Sequence, residues 1–217
     1  MARLKAAVLL SGRGTNLQAL MDECAAPDAA AEIALVVSNV AGAGGLARAQ
    51  ANRIATTVID HKQFPDRESF EDELHRQLTD AGAELVCLAG FMRLLTAGFV
   101  ASWRDRLINI HPSLLPAYKG LHTHERVIAD GVRFTGCTVH FVRPAMDDGP
   151  IIVQAAVPVA VDDEPEGLAA RVREAEHRCY RLALRLIAEG RVAVAGERVL
   201  IDGGTAPTGL LVNPADD

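Results

Sequence analysis

From Glu84 to Ala89 the chain reads Glu-Leu-Val-Cys-Leu-Ala, apolar at every position after the first. A strand with one wet face alternates polar and apolar residues; a continuous apolar run suits a strand covered on both faces. Lys5 to Leu10 is a second such run, Ile33 to Val37 a third, and Ile54 to Ile59 a fourth, rich in β-branched residues. Between them apolar residues recur at helical spacing: Leu17, Leu20, Met21 and Cys24, with Thr15 as N-cap, then Gly42 to Asn52, then Phe70, Leu74, Leu78 and Ala81. Asp66 is placed to cap the last of these helices and Gly82 to end it. Such alternation predicts an α/β fold with a doubly wound, mainly parallel, Rossmann-like sheet in the N-terminal half.

The second half continues into a mixed sheet. Arg106 to Ile108 reads as the end of a short buried strand, Thr135 to Val142 and Ile151 to Val159 as two more, and Gly190 to Ile201 as a closing pair of short strands. Before that pair runs a long helix, capped by Asp163, with Leu168, Val172, Ala175, Cys179, Leu182 and Leu186 as its buried stripe and Glu176 beside the stripe. At 217 residues this is one domain over residues 1–203, with a phosphate-binding half (about 1–105), a second half (about 106–203) and a tail over 204–217.

The first chemical signal is Ser11-Gly12-Arg13-Gly14-Thr15-Asn16-Leu17, a glycine turn between a strand and a helix. That geometry aims backbone N–H groups and the positive end of a helix at an anion. A dinucleotide fingerprint wants a glycine where Leu17 stands and an acid near the end of the second strand, where this chain has Ser38-Asn39. A P-loop wants Gly-Lys-Ser/Thr, which is missing. A phosphate monoester fits best; a tight turn without a ligand is the plain alternative.

The second signal is Asn109-Ile-His111-Pro-Ser-Leu-Leu-Pro116. Strand side chains alternate, so Asn109 and His111 share a face, and Pro112 ends the strand by fixing its own φ and lacking an N–H. An amide and an imidazole then stand together at a strand's carboxyl end, where open α/β sheets hold ligands. Such a pair suits acyl transfer, one group donating to an oxyanion and the other moving a proton near neutral pH. A hydrogen-bonded structural histidine is the simpler alternative.

With Gly120 and Met146-Asp147-Asp148-Gly149-Pro150 downstream, the Asn109–Pro116 stretch resembles the signature of the folate-dependent formyltransferases. The resemblance extends through Ala89 to Leu95 and Gly120 to His124 and covers about the first 190 residues. It implies transfer of a formyl group from 10-formyltetrahydrofolate, a co-substrate, to the amine of 5-phosphoribosylglycinamide, with no metal. Asn109, His111 and Asp147 would be catalytic, the Asp147 carboxylate favouring a charged ring at His111. Gly14, Thr15, Asn16, Arg173 and Glu176 would hold the ribotide. Arg67, Met92, Arg93, Leu94 and Leu95 would face the folate, together with Asn109 and the stretch Arg143, Pro144, Ala145, Met146 and Asp147. The alternatives are a formyltetrahydrofolate hydrolase and a non-catalytic folate or sugar-phosphate binder.

Some branches of that family add an RNA-binding domain after this core or a regulatory domain before it. After Gly190 there is little room for the first, and the first strand begins within a few residues of Met1, so neither is expected. A net charge of −6 argues against a nucleic-acid surface. Cys24, Cys87, Cys137 and Cys179 form no C-x-x-C pair and read as reduced packing residues. With no signal peptide or spanning segment in the pattern, a soluble cytoplasmic protein working on small molecules is expected.

Overall fold

The computed structural model describes residues 2–214. Residues 215–217, the end of the expected tail, lie outside the described residues. The elements run β1 (Leu4–Leu10), α1 (Thr15–Cys24), β2 (Ala31–Ser38), α2 (Gly44–Ala51), β3 (Thr56–Val58), α3 (Arg67–Asp80), β4 (Leu85–Leu88), α4 (Ala97–Ser102) and β5 (Leu107–His111). They continue with α5 (Thr123–Ala129), β6 (Phe134–Phe141), β7 (Ile151–Pro158), α6 (Pro165–Ala188), β8 (Val192–Ala195) and β9 (Arg198–Ile201).

One seven-stranded sheet carries the fold in the order β3-β2-β1-β4-β5-β6-β7. β1 to β5 pair in parallel, while β6 and β7 join antiparallel, so the sheet is mixed as expected. The strand order reverses at β1, leaving a crevice between the carboxyl ends of β1 and β4, where doubly wound sheets bind ligands. β8 and β9 form a separate hairpin.

The alternation of side chains builds two cores. Ala6, Val8 and Leu10 of β1 pack with α1, α2 and α6 on one face, and Ala7 and Leu9 pack with Phe70, Leu74 and Leu78 of α3 and with Phe99 and Trp103 on the other. In β5, Ile108 and Ile110 enter the first core and Leu107 the second. Asn109 and His111 therefore continue the Leu107 row, beyond the point where apolar packing ends.

Several local expectations need correction. Gly14, not Thr15, is the N-cap of α1, in the left-handed region at φ 75° and without a side-chain cap. Asp163 does not cap α6: Glu164 occupies that position, while Asp163 accepts from the N–H of Ala160 and pairs with Arg171. Leu182 stays exposed. Tyr180, Ala183 and Leu184 fill the buried stripe instead, because α6 packs against α1, β6 and β7 together. The third strand shrinks to Thr56–Val58. Asp66 does cap α3, accepting from the N–H of Ser69 at 2.8 Å. Cys87, Cys137 and Cys179 are buried and all four cysteines are free thiols. Among the described residues no helix is long and apolar enough to cross a membrane.

Candidate active site

The loops after β1 and β4 flank the crevice, and each begins where apolar strand gives way to small residues. Ser11 to Asn16 forms a cradle whose wall includes Ala89, Gly90 and Met92. Gly14 is required here twice over: φ is positive, and a Cβ would lie 2.6 Å from Cα of Gly45 at the start of α2. The side chain of Asn16 crosses to α6, its Nδ2 donating to Oε2 of Glu176 at 3.1 Å. Its Oδ1 is buried and has no hydrogen-bond partner among the described residues. Burial pushes the Glu176 carboxyl above the usual carboxylate range, partly offset by Asn16 and by the charge of Arg173. The cradle thus combines backbone donors at a helix start with a ready acceptor, a set that suits a phosphate ester carrying an amine.

Next to the cradle, and sharing Gly90 and Met92 with it, lies a cavity of about 460 Å³ reaching Asn109, His111 and Asp147. The antiparallel pairing of β5 with β6 sets Asn109 opposite His140 and His111 opposite Thr138. His111 is 5 % exposed. Its Nε2 donates to the carbonyl of Tyr118 at 2.9 Å, and its Nδ1 lies 3.3 Å from Oδ2 of Asp147. A carbonyl can only accept, so Nε2 carries a proton, and Nδ1 is the ring atom turned toward the carboxylate. The same Asp147 oxygen accepts from the N–H of Gly120 at 2.7 Å.

Backbone geometry delivers these partners. Asp147 sits at φ 47°, a region Asp tolerates better than most residues. Gly149 follows at φ 119°, where a Cβ would lie 2.2 Å from the carbonyl oxygen of Phe141. The loop after β5 is pinned by Thr138, whose Oγ1 donates to the Ser113 carbonyl at 2.7 Å and accepts from the Leu115 N–H at 3.0 Å. On the other side Tyr180, fully buried in α6, donates to the carbonyl of Leu88 at 3.0 Å, tying the helix to the end of β4.

Asn109 is oriented by a residue to which sequence reasoning assigned no role. Its Nδ2 lies 3.4 Å from Nε2 of His140, and Nδ1 of His140 lies 3.0 Å from the carbonyl of Phe141. The tautomer that satisfies both contacts carries its proton on Nδ1 and accepts from Asn109. Burial holds His140 below the usual histidine range, which keeps that lone pair available. Strand alternation put His140 beside Thr138 on one face, yet the register that brings it to Asn109 is a long-range property with no local signal.

Beyond Asn109 a narrower cavity of about 130 Å³ is bounded by Arg93, Leu94 and Leu95 on one side and by Arg143 to Asp147 on the other. Met92, Leu94, Leu121 and Met146 remain more than half exposed around the two mouths. Apolar walls with a few placed polar groups suit a flat heterocycle. The expected residues are not all equal in this arrangement. The guanidinium of Arg143 is spent internally, Nε on Glu197 and Nη2 on Asp105, both at 2.9 Å, so its contribution to the cavity is backbone and stem. Arg67, the first residue of α3, is exposed and lines neither cavity. Arg173 is half-buried and acts on the electrostatics of His124, Glu176 and His177. Among the described residues no cluster of His, Cys, Asp and Glu is placed to hold a metal ion.

Residues 4–184 match the family described as formyl transferase. The chain is 42% identical over 200 residues to the phosphoribosylglycinamide formyltransferase of Escherichia coli (strain K12), covering 92% of this chain and 94% of that protein. It is 52% identical over 192 residues to the trifunctional purine biosynthetic protein adenosine-3 of Gallus gallus, covering 88% of this chain but only 19% of that protein's length. Among solved structures it resembles glycinamide ribonucleotide transformylase 1 from Symbiobacterium toebii, with a TM-score of 0.89 and 44% identity, covering 92% of this chain and 94% of that one.

Proposed function

The chain belongs to the formyl transferase family, and from that footing we propose that it transfers the formyl group of 10-formyltetrahydrofolate to the amine of 5-phosphoribosylglycinamide in purine biosynthesis. The observation that carries this reading is the shared wall: Gly90 and Met92 line both the anion cradle and the cavity of Asn109, His111 and Asp147. A ribotide with its phosphate on Gly14, Thr15 and Asn16 lies along that wall, its amine toward the polar cluster. The folate ring occupies the cleft between Met92–Leu95 and Arg143–Asp147.

In the reaction the amine lone pair attacks the formyl carbon and the carbonyl electrons move onto oxygen. Asn109, held by His140, donates to that oxyanion from a preorganised position. The His111 ring, fixed between the Tyr118 carbonyl and the Asp147 carboxylate, lends positive charge beside it when protonated. The Asp147 carboxylate, exchanging one of its present donors, takes the proton that the attacking amine must lose. Collapse of the intermediate breaks the bond between the formyl carbon and the folate nitrogen, which takes up a proton, leaving formylated ribotide and tetrahydrofolate. Residues 1–203 act as one domain in this reading, and the four free thiols accord with a cytoplasmic setting.

The test is a turnover assay with 10-formyltetrahydrofolate, run with and without 5-phosphoribosylglycinamide and read for formylated ribotide and free formate. Ribotide-dependent formylation is the expected result. Formate release at the same rate without ribotide identifies water as the acceptor and overturns the proposal.

A further inference from the structure

Ser11 is held from three sides at the carboxyl end of β1. Its N–H donates to the carbonyl of Gly90 at 3.1 Å, its hydroxyl accepts from the N–H of Met92 at 2.8 Å, and the same hydroxyl donates to Oδ1 of Asn39 at 2.6 Å. Gly90 and Met92 follow β4 and Asn39 follows β2, so one serine joins the loops of three neighbouring strands. Asn39 is itself buried, and its Nδ2 lies 3.3 Å from Nδ1 of His61 beyond β3. The Ser38-Asn39 pair stands where a dinucleotide site would place its ribose-binding acid, and here the asparagine is committed to the protein instead.

This arrangement has a mechanical consequence. Ser11 opens the anion cradle, while Met92 opens the wall of the Asn109, His111 and Asp147 cavity, a wall that Arg93 and Leu94 continue into the narrower heterocycle cleft. Met92 is 67% exposed, so its backbone N–H bond to Ser11 is a principal restraint on that end of the wall. Ordering the cradle around a phosphate orders Ser11, and through Ser11 the Met92 peptide. We propose that Ser11 is a positioning residue that couples the two substrate sites, with Asn39 fixing the hydroxyl so that its lone pair faces Met92. The proposal rests on the ribotide and folate reading of the site. Because such coupling is a free energy shared by both ligands, each must tighten the other by the same factor.

The experiment titrates tetrahydrofolate calorimetrically with and without saturating 5-phosphoribosylglycinamide, a pair that binds without formyl transfer. In the unaltered protein the ribotide tightens tetrahydrofolate binding about two- to tenfold, the range of one net hydrogen bond, and tetrahydrofolate tightens the ribotide equally. Ser11→Ala brings the factor to one, a ratio read within the variant whatever affinity each ligand has for it alone. Asn39→Leu, which removes the acceptor, does the same, and Asn39→Asp, which keeps it, restores the factor. Thermal unfolding of each variant shows that the fold is intact. Binding of both ligands without coupling in the unaltered protein, or coupling that survives Ser11→Ala, overturns this role for Ser11 and leaves the proposed reaction standing. Failure of the unaltered protein to bind the ribotide at all overturns the functional reading and this proposal together.

Discussion

The amide of Asn109 and the imidazole of His140 face each other across the β5–β6 ladder, Nδ2 to Nε2 at 3.4 Å, with the far side of the imidazole anchored on the carbonyl of Phe141. This contact leaves the remaining amide hydrogen of Asn109 for the cleft and makes its orientation depend on a neutral ring. His140→Leu removes the acceptor without adding a donor and is expected to lower kcat about two- to tenfold, the net worth of one hydrogen bond. Steady-state kinetics with both substrates saturating checks it.

The same ring sets an acid limit. Burial places the folded His140 below the ordinary value of 6.5, so in the window beneath pH 6.5 the unfolded chain takes up the proton first. The stability contributed by the neutral, buried ring is fully present above pH 6.5 and is lost as pH falls through the folded value. Urea unfolding followed from pH 7.5 down to 5 is expected to show this loss, and His140→Leu to lessen it.

Asn109 and His111 of β5 and Asp147 of the β6–β7 loop line one cavity, and each is expected to matter to chemistry more than to folding. Asn109→Ala should cost about 10²–10³ in kcat, the usual loss for an oxyanion donor. Asp147→Asn keeps the shape and the acceptor for Gly120 at a backbone position with φ 47°, yet removes the base. It should cost about 10²–10⁴ in kcat, the range for general base catalysis. A thermal unfolding midpoint near that of the unaltered protein, paired with normal kcat, would remove either residue from the mechanism.

Glu176 combines a raised carboxyl with a hydrogen bond from Asn16. Its protonated form is favoured by the fold below the ordinary value of 4.5, and that contribution is lost as pH rises through the raised folded value. Glu176→Gln keeps an acceptor for Asn16 and carries no charge. Its stability relative to the unaltered protein is therefore expected to improve as pH rises above 4.5, while its KM for the ribotide increases. Unfolding at pH 4 and pH 8, with kinetics at pH 8, separates the two effects.

Arg143 ties the Asp147 loop to Asp105 and to Glu197 in the β8–β9 hairpin. The guanidinium is buried but its partners are substantially solvated, so the loss is moderated by screening. Arg143→Ala is expected to cost about 1–3 kcal/mol, as for hydrogen bonds to charged groups, and Glu197→Gln less than about 1 kcal/mol, as for exposed pairs. Denaturant unfolding of both variants provides the measurement.

Much of the architecture was legible in order of sequence, because the forces that make elements are local. Continuous apolar runs at Lys5–Leu10 and Glu84–Ala89 identified doubly covered strands, Asp66 and Gly82 bounded a helix, and Pro112 ended the strand that carries Asn109 and His111. Where several surfaces compete for one helix, periodicity misled: Leu182 fits the spacing of α6, yet Tyr180 fills the interior and reaches the Leu88 carbonyl. The N-cap of α1 was misassigned for a related reason, since the close approach of α2 makes glycine necessary at position 14.

By itself, then, the sequence determined the alternation of strands and helices, the glycine turn after the first strand and the residue types that can perform acyl transfer. Tertiary structure alone decided which of them meet. The β5–β6 register set His140 against Asn109, a left-handed loop carried Asp147 to 3.3 Å from His111, and strand order laid the Ser11 cradle against the Met92 wall. Local spacing encodes the direction of a side chain along its own element, whereas the neighbour it touches depends on packing between segments far apart in the chain.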